Sequence, residues 1–154
     1  MTSLADLPVF EAEHKGYTLS TDRDRLDVDR IHRYLAEESY WARGLGRALF
    51  ERALAGSLPV AIYAPNGELA TFARLVTDLA VFAYLRDVFT LPEHRGQGLA
   101  TFLAQAIRAH PELKTVNSWM LATRDAHGVY TKAGYAPVPH PEYYMSIRKP
   151  AETP

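Results

Sequence analysis

The chain has 154 residues, 17 Lys+Arg against 18 Asp+Glu for a net charge of −1, 47% hydrophobic and 23% charged residues, and no cysteine. That fits one globular domain over 1–154 and leaves little room for a second. It excludes disulfides, a thiolate nucleophile and Cys-type zinc sites. No window approaches the ~18 consecutive apolar residues of a membrane span. The opening MTSLADLPVFEAE carries acids where a secretion signal needs a basic start, and no Lys/Arg run marks a phosphate-binding surface. A cytoplasmic protein with no nucleic acid and no membrane among its partners is expected. The histidines at 14, 32, 94, 110, 127 and 140 lack the short helical spacing of a two-His site, so no metal is expected either.

In chain order, Tyr17 to Ser20 reads as a first strand. Val28, Ile31, Tyr34 and Leu35 give Val28 to Glu38 the 3,4-spacing of an amphipathic helix, and a second helix covers Gly46 to Leu54. Gly44-Leu45-Gly46 has no strand before it and reads as a helix-start turn. Asn66-Gly67 stands between two β-branched and aromatic runs in LPVAIYAPNGELATFARLV, and Asn-Gly tolerates the positive φ angles of a tight hairpin. Leu79 to Leu91 is too rich in Val, Phe and Tyr for a surface helix and ends at Pro92, which predicts a long central strand. Leu99, Phe102, Leu103, Ala106 and Ile107 define a core-facing helix closed by His110-Pro111. Val116 to Ala122 predicts a strand, Asp125 to Lys132 a short helix stopped by Gly134, and Glu142 to Arg148 a last strand. The order implies an α/β fold with a mixed sheet of six or seven strands and helices on both faces.

The most informative stretch is Thr90-Leu91-Pro92-Glu93-His94-Arg95-Gly96-Gln97-Gly98-Leu99-Ala100-Thr101, a strand running into a Gly-rich turn that opens a helix. Such a turn lets consecutive N–H groups converge on an anion, and the helix N-terminus adds partial positive charge, so a pyrophosphate is the natural ligand. The string lacks the third glycine of a dinucleotide fingerprint and the Lys-Ser/Thr ending of a P-loop. Arg95-Gly96-Gln97-Gly98-Leu99-Ala100 resembles instead the Gln/Arg-x-x-Gly-x-Gly/Ala signature of the GNAT superfamily of N-acetyltransferases. Pro92-Glu93-His94-Arg95-Gly96 resembles that family's Pro-Glu-Tyr-Arg-Gly run. Ala126-His127-Gly128-Val129-Tyr130-Thr131-Lys132-Ala133-Gly134-Tyr135 resembles its later Ala-x-x-Leu-Tyr-x-x-x-Gly-Phe segment. The mostly antiparallel strand order is also the family's.

The resemblance implies acetyl-CoA as cosubstrate. The backbone of Arg95, Gly96, Gln97, Gly98, Leu99 and Ala100 would bind its pyrophosphate, with the Thr101 hydroxyl as an added contact. Val88, Phe89 and Thr90 would lay their backbone along the pantetheine arm and polarise the thioester carbonyl, an oxyanion-hole role. Tyr130 falls where the family places the tyrosine that protonates the departing thiolate; without the motif it would read as a tyrosine packed at the core margin. Thr123 stands where members often carry a cofactor-contacting asparagine, and a hydroxyl replaces only one amide contact. The position of a base on the preceding strand is Ser118, which has no useful basicity. His127 lies one turn before Tyr130, while His32 reads as structural.

Asp87 shares by simple alternation an apolar strand face with Leu85 and Phe89, and a carboxylate there needs an explanation. Either burial makes it the base for an amine, directly or through water, or a β-bulge turns it outward or toward Arg86 or another cation. The acceptor site implied by the resemblance is the loop Glu37-Glu38-Ser39-Tyr40-Trp41-Ala42-Arg43 with strand positions beside the thioester such as Tyr84. Glu38, Tyr40 and Trp41 could hold a cationic amine by charge pairing and cation–π contact; equally, they could end a helix and cap the core. The expected function is transfer of an acetyl group to a primary amine of a small-molecule or protein acceptor in a ternary complex. A noncatalytic acyl-CoA-binding module is the alternative. An exposed last strand could pair with a second copy and make a homodimer.

Overall fold

A computed structural model describes residues 2–150. Among them, six strands form one sheet in chain order, with four antiparallel pairings and a final parallel one. β1 (Glu11–His14) and β2 (Tyr17–Ser20) are joined by Lys15-Gly16 with φ of 51° and 83°, the positive pair of a two-residue hairpin turn. Glu-Ala-Glu-His has little strand preference, so patterning does not mark β1; it exists because that turn lays it against β2. β3 (Leu58–Tyr63) and β4 (Leu69–Thr77) form the hairpin expected around Gly67, whose φ is 88°. β5 (Phe82–Thr90) is shorter than the expected strand because Asp78 Oδ1 accepts from the N–H groups of Ala80, Val81 and Phe82, winding its first residues into a turn. β6 (Ser118–Leu121) is the parallel edge.

Helices cover both faces. α1 (Val28–Arg33), capped by Asp27, runs into a π-helical turn over Tyr34–Glu38, and α2 (Arg47–Ala55) follows. Their apolar sides bury Ile31, Tyr34, Leu35, Phe50 and Leu54 against Ala61, Tyr63, Phe72 and Phe89. α3 (Leu99–Ala106) and α4 (His127–Lys132) close the other face, where Leu99, Leu103, Ile107 and Tyr130 meet Val60, Ile62, Leu75 and Leu85. β3 is buried along its whole length because alternate residues serve opposite cores.

The last strand expected over Glu142 to Arg148 is not formed. Pro137, Pro139 and Pro141 each lack a backbone donor, and a 3-10 turn over Pro141–Tyr143 interrupts the approach to the sheet. The alternation of Tyr143, Met145 and Ile147 is present, but without a partner strand it faces solvent, with exposures of 72%, 97% and 99%. A chain ended after His140 is therefore expected to keep its unfolding free energy in urea within about 0.5 kcal/mol of the full chain. A loss above about 2 kcal/mol would show that 142–148 completes the core.

Candidate active site

The site begins as a fork in the sheet. β5 and β6 pair from Phe82 with Ser118 to Leu85 with Leu121 and then separate. The cause lies in β5: Phe72 of β4 faces Phe89 and Arg74 faces Arg86, so Asp87 and Val88 together oppose Ala73. Asp87 has φ 57°, a left-handed conformation that aspartate tolerates better than branched residues. This β-bulge bends and twists β5 away from its parallel neighbour. A cavity of about 590 Å³ opens in the fork, lined by Tyr84, Asp87, Val88, Thr123 and Tyr130 among others.

The bulge is present, but it does not turn Asp87 outward: the carboxylate is buried, and its cation is Arg74 rather than Arg86. Arg74 Nε donates to Oδ2 at 2.6 Å and Trp41 Nε1 donates to Oδ1 at 3.1 Å, with the Arg74 and Asp87 side chains 14% and 7% exposed. Trp41 is brought there by a pinned loop. Ser39 Oγ donates to the Leu35 carbonyl and accepts from the Ala42 N–H, and the Gly44 N–H closes onto the Ala36 carbonyl. Tyr40 meets Trp41 edge to face, and the Arg124 guanidinium lies 3.7 Å from the Tyr40 ring centre.

The Gly-rich turn forms as expected. Gly96 and Gly98 have φ of 80° and 72°, and a Cβ on either would meet nothing within 4 Å, so open space lies over both. Conformation rather than crowding requires glycine there. Gly98 caps α3, whose first N–H groups have no partner within the helix. The Arg95 side chain folds back along the surface: Nε donates to the Thr90 carbonyl at 3.1 Å and Nη2 to the Tyr34 hydroxyl at 3.1 Å, clamping the turn to the end of β5. Gln97 is exposed, Leu99 is buried, and Ala100 half-buried. The Thr101 hydroxyl donates to the Val129 carbonyl and so ties α3 to α4. Thr90 Oγ1 is 3.0 Å from Thr71 Oγ1, and Phe89 stacks on Tyr34 with ring centres 4.0 Å apart. The side chain of Phe89 therefore belongs to the α1–α2 core. Thr123 lines the fork, but its hydroxyl accepts from the Ala126 N–H at 3.0 Å to start α4.

Tyr130 is buried and lines the fork. Loss of hydration pushes its phenol up to about 12, with Tyr135, Tyr40 and Asp125 adding in the same direction, so it stays neutral throughout the ordinary pH range. Tyr40, Trp41 and Tyr84 are also at the fork. Glu38 is not: it lies 3.7 Å from Arg30 and lines neither this cavity nor its neighbour. That neighbour, of about 320 Å³, lies between the Trp41–Leu45 loop, α2 and the bulge, and it shares Trp41, Arg86 and Asp87 with the fork. Patterning missed Arg74 and the second cavity. The available signal was a pair of opposite charges, Arg74 and Asp87, on two neighbouring strands that are otherwise mostly apolar.

Residues 56–137 match the model of the acetyltransferase (GNAT) domain. The chain belongs to the GNAT family. It is 31% identical over 138 residues to a Gibberella zeae protein named "Putative acetyltransferase", covering 75% of this chain and 76% of that one. The fold matches a GNAT-family crystal structure from Xanthomonas campestris at a TM-score of 0.81 and 41% identity, over 90% of this chain and 95% of the other. It also matches the Vibrio cholerae spermidine N-acetyltransferase, solved with CoA and spermine, at a TM-score of 0.59 and 16% identity, over 79% and 81% of the two chains.

Because Asp87 and Arg74 are both largely removed from water, removing one strands the other. Arg74→Met is expected to lower the unfolding free energy by about 3 kcal/mol. A double-mutant cycle with Asp87→Leu should show coupling above about 1 kcal/mol. Coupling near zero in urea titrations would contradict a bulge held by this pair.

Proposed function

We propose that this GNAT-family protein is an N-acetyltransferase that uses acetyl-CoA and passes the acetyl group to a primary amine by direct attack in a ternary complex. The acceptor is a small molecule or a protein amine. The observation that carries this reading is the fork, where the unpaired part of β5 around Val88 and the Tyr130 phenol line one cavity. The residues fit the cosubstrate: open space over Gly96 and Gly98 and the free N–H groups at the start of α3 suit a pyrophosphate.

In this reading Arg95 to Ala100 hold the phosphates through backbone, with Thr101 and Thr123 shaping the neighbouring walls. Val88, Phe89 and Thr90 offer main-chain groups to the pantetheine arm and to the thioester oxygen. A fixed N–H there acts on charge that develops during reaction, at no reorganisation cost. Tyr130 donates to the departing sulfur. The burial that raises the phenol also disfavours a bare thiolate beside it, so both basicities move in the same direction. Asp87 has two of its lone pairs taken by Trp41 and Arg74, so it receives the amine's proton through a water on the remaining ones.

Tyr130→Phe is expected to lower kcat about 100-fold with calorimetric acetyl-CoA affinity retained. An unchanged kcat would remove Tyr130 from the chemistry, and no turnover by either form beside intact binding would favour a noncatalytic acyl-CoA module. The pH profile is a separate check. A group that works protonated and titrates at about 12 imposes no alkaline limb at lower pH. The wild-type kcat/KM should therefore rise as the amine deprotonates and show no descending limb below about pH 10. A descending limb below that pH, absent from Tyr130→Phe, would keep Tyr130 in the chemistry but contradict its raised phenol.

A further inference from the structure

The second cavity supplies chemistry that the acetyl-transfer reading leaves unassigned. Its floor is apolar, from Leu45, Leu49, Phe50 and Ala53. Its polar lining is three arginines, Arg43, Arg74 and Arg86, against one carboxylate, Asp87, and that carboxylate is already paired with Arg74 at 2.6 Å. Among the described residues, neither Arg43 nor Arg86 has an acidic partner. Glu38, the acid expected to draw a cation into this region, is held outside by Arg30. The cavity therefore offers two uncompensated guanidinium groups over an apolar floor, which repels a second cation and suits a carboxylate.

Resting on the N-acetyltransferase reading, we propose that the acceptor is an amine that carries its own carboxylate beside an apolar body, a free α-amino acid with an apolar side chain being the simplest form. The bulge brings the necessary neighbours together. Arg86 and Asp87 are consecutive yet both line the fork and the second cavity, an arrangement that a regular strand, with successive side chains on opposite faces, does not give. The amine lies by Asp87 and its water at the fork, the carboxylate on Arg86 with Arg43 beyond it, and the apolar side chain over Leu49, Phe50 and Ala53. The amine and carboxylate of an α-amino acid share one carbon, which matches this adjacency.

The test is CoA release from acetyl-CoA with leucine, methionine and phenylalanine, their three amides, and spermidine as acceptors. The acids are expected to exceed their amides in kcat/KM by at least about tenfold, through KM, with spermidine poorer still. Arg86→Gln and Arg43→Gln should each narrow the acid-to-amide ratio, with folding followed by circular dichroism. Amides or spermidine used as well as the acids would overturn the inference, as would an unaltered ratio in both folded variants. Acetyl-CoA binding without acetylation of any of the three acids would overturn this inference alone. Failure to bind acetyl-CoA would overturn the acetyltransferase reading with it.

Discussion

The buried pair of Arg74 and Asp87 is the interaction on which the site depends. Asp87 occupies a left-handed conformation in the middle of a strand, which costs a non-glycine residue about 1–2 kcal/mol. Its carboxylate is nearly removed from water, a state that persists only when both oxygens find donors. Arg74 from β4 and Trp41 from the α1–α2 loop supply them. In return the bulge ends the pairing of β5 with β6 and opens the fork. The same contacts fix Trp41 between the two cavities, so the carboxylate that shapes the strand also positions the loop between α1 and α2.

A second connection joins the glycine turn to the opposite core. Arg95 reaches from the turn to the Tyr34 hydroxyl, Tyr34 stacks on Phe89, and Phe89 belongs to the strand whose backbone edges the fork. The turn is thus registered against β5 by a charged hydrogen bond and an aromatic stack rather than by its own short sequence. Tyr34 begins the π-helical turn that leads to the pinned loop at Ser39. One residue accordingly links the glycine turn, the strand and the segment that carries Tyr40 and Trp41.

Much of the fold was legible wherever local chemistry decides structure. Asn66-Gly67 demanded a hairpin, the apolar spacing from Leu99 to Ile107 demanded a core helix, and Gly134 ended α4 with φ 102°. β1 was hidden because a polar four-residue strand is created by its turn and partner. The false strand at Glu142 to Arg148 has the opposite origin: its alternation is real, but alternation describes two faces and says nothing of whether an edge is within reach. The shape of the glycine turn and the place of Tyr130 on α4 were legible through two separated motifs. Asp87 was ambiguous because alternation counts residues, and a bulge changes the count by one. Glu38 was misplaced for a related reason, since the π-helical turn alters the helical count and sets Glu38 toward Arg30 of the same segment rather than toward the fork.

The central claim is that the glycine turn and the fork form one acetyl-CoA site. The most direct measurement is calorimetric titration of acetyl-CoA into the wild type and into Gly98→Glu, each shown to be folded by circular dichroism. The substitution places an anion in the open space above the cradle and a side chain at a φ of 72°. The account predicts micromolar binding by the wild type and its loss in the variant. No binding by the wild type, or equal binding by both, would contradict it.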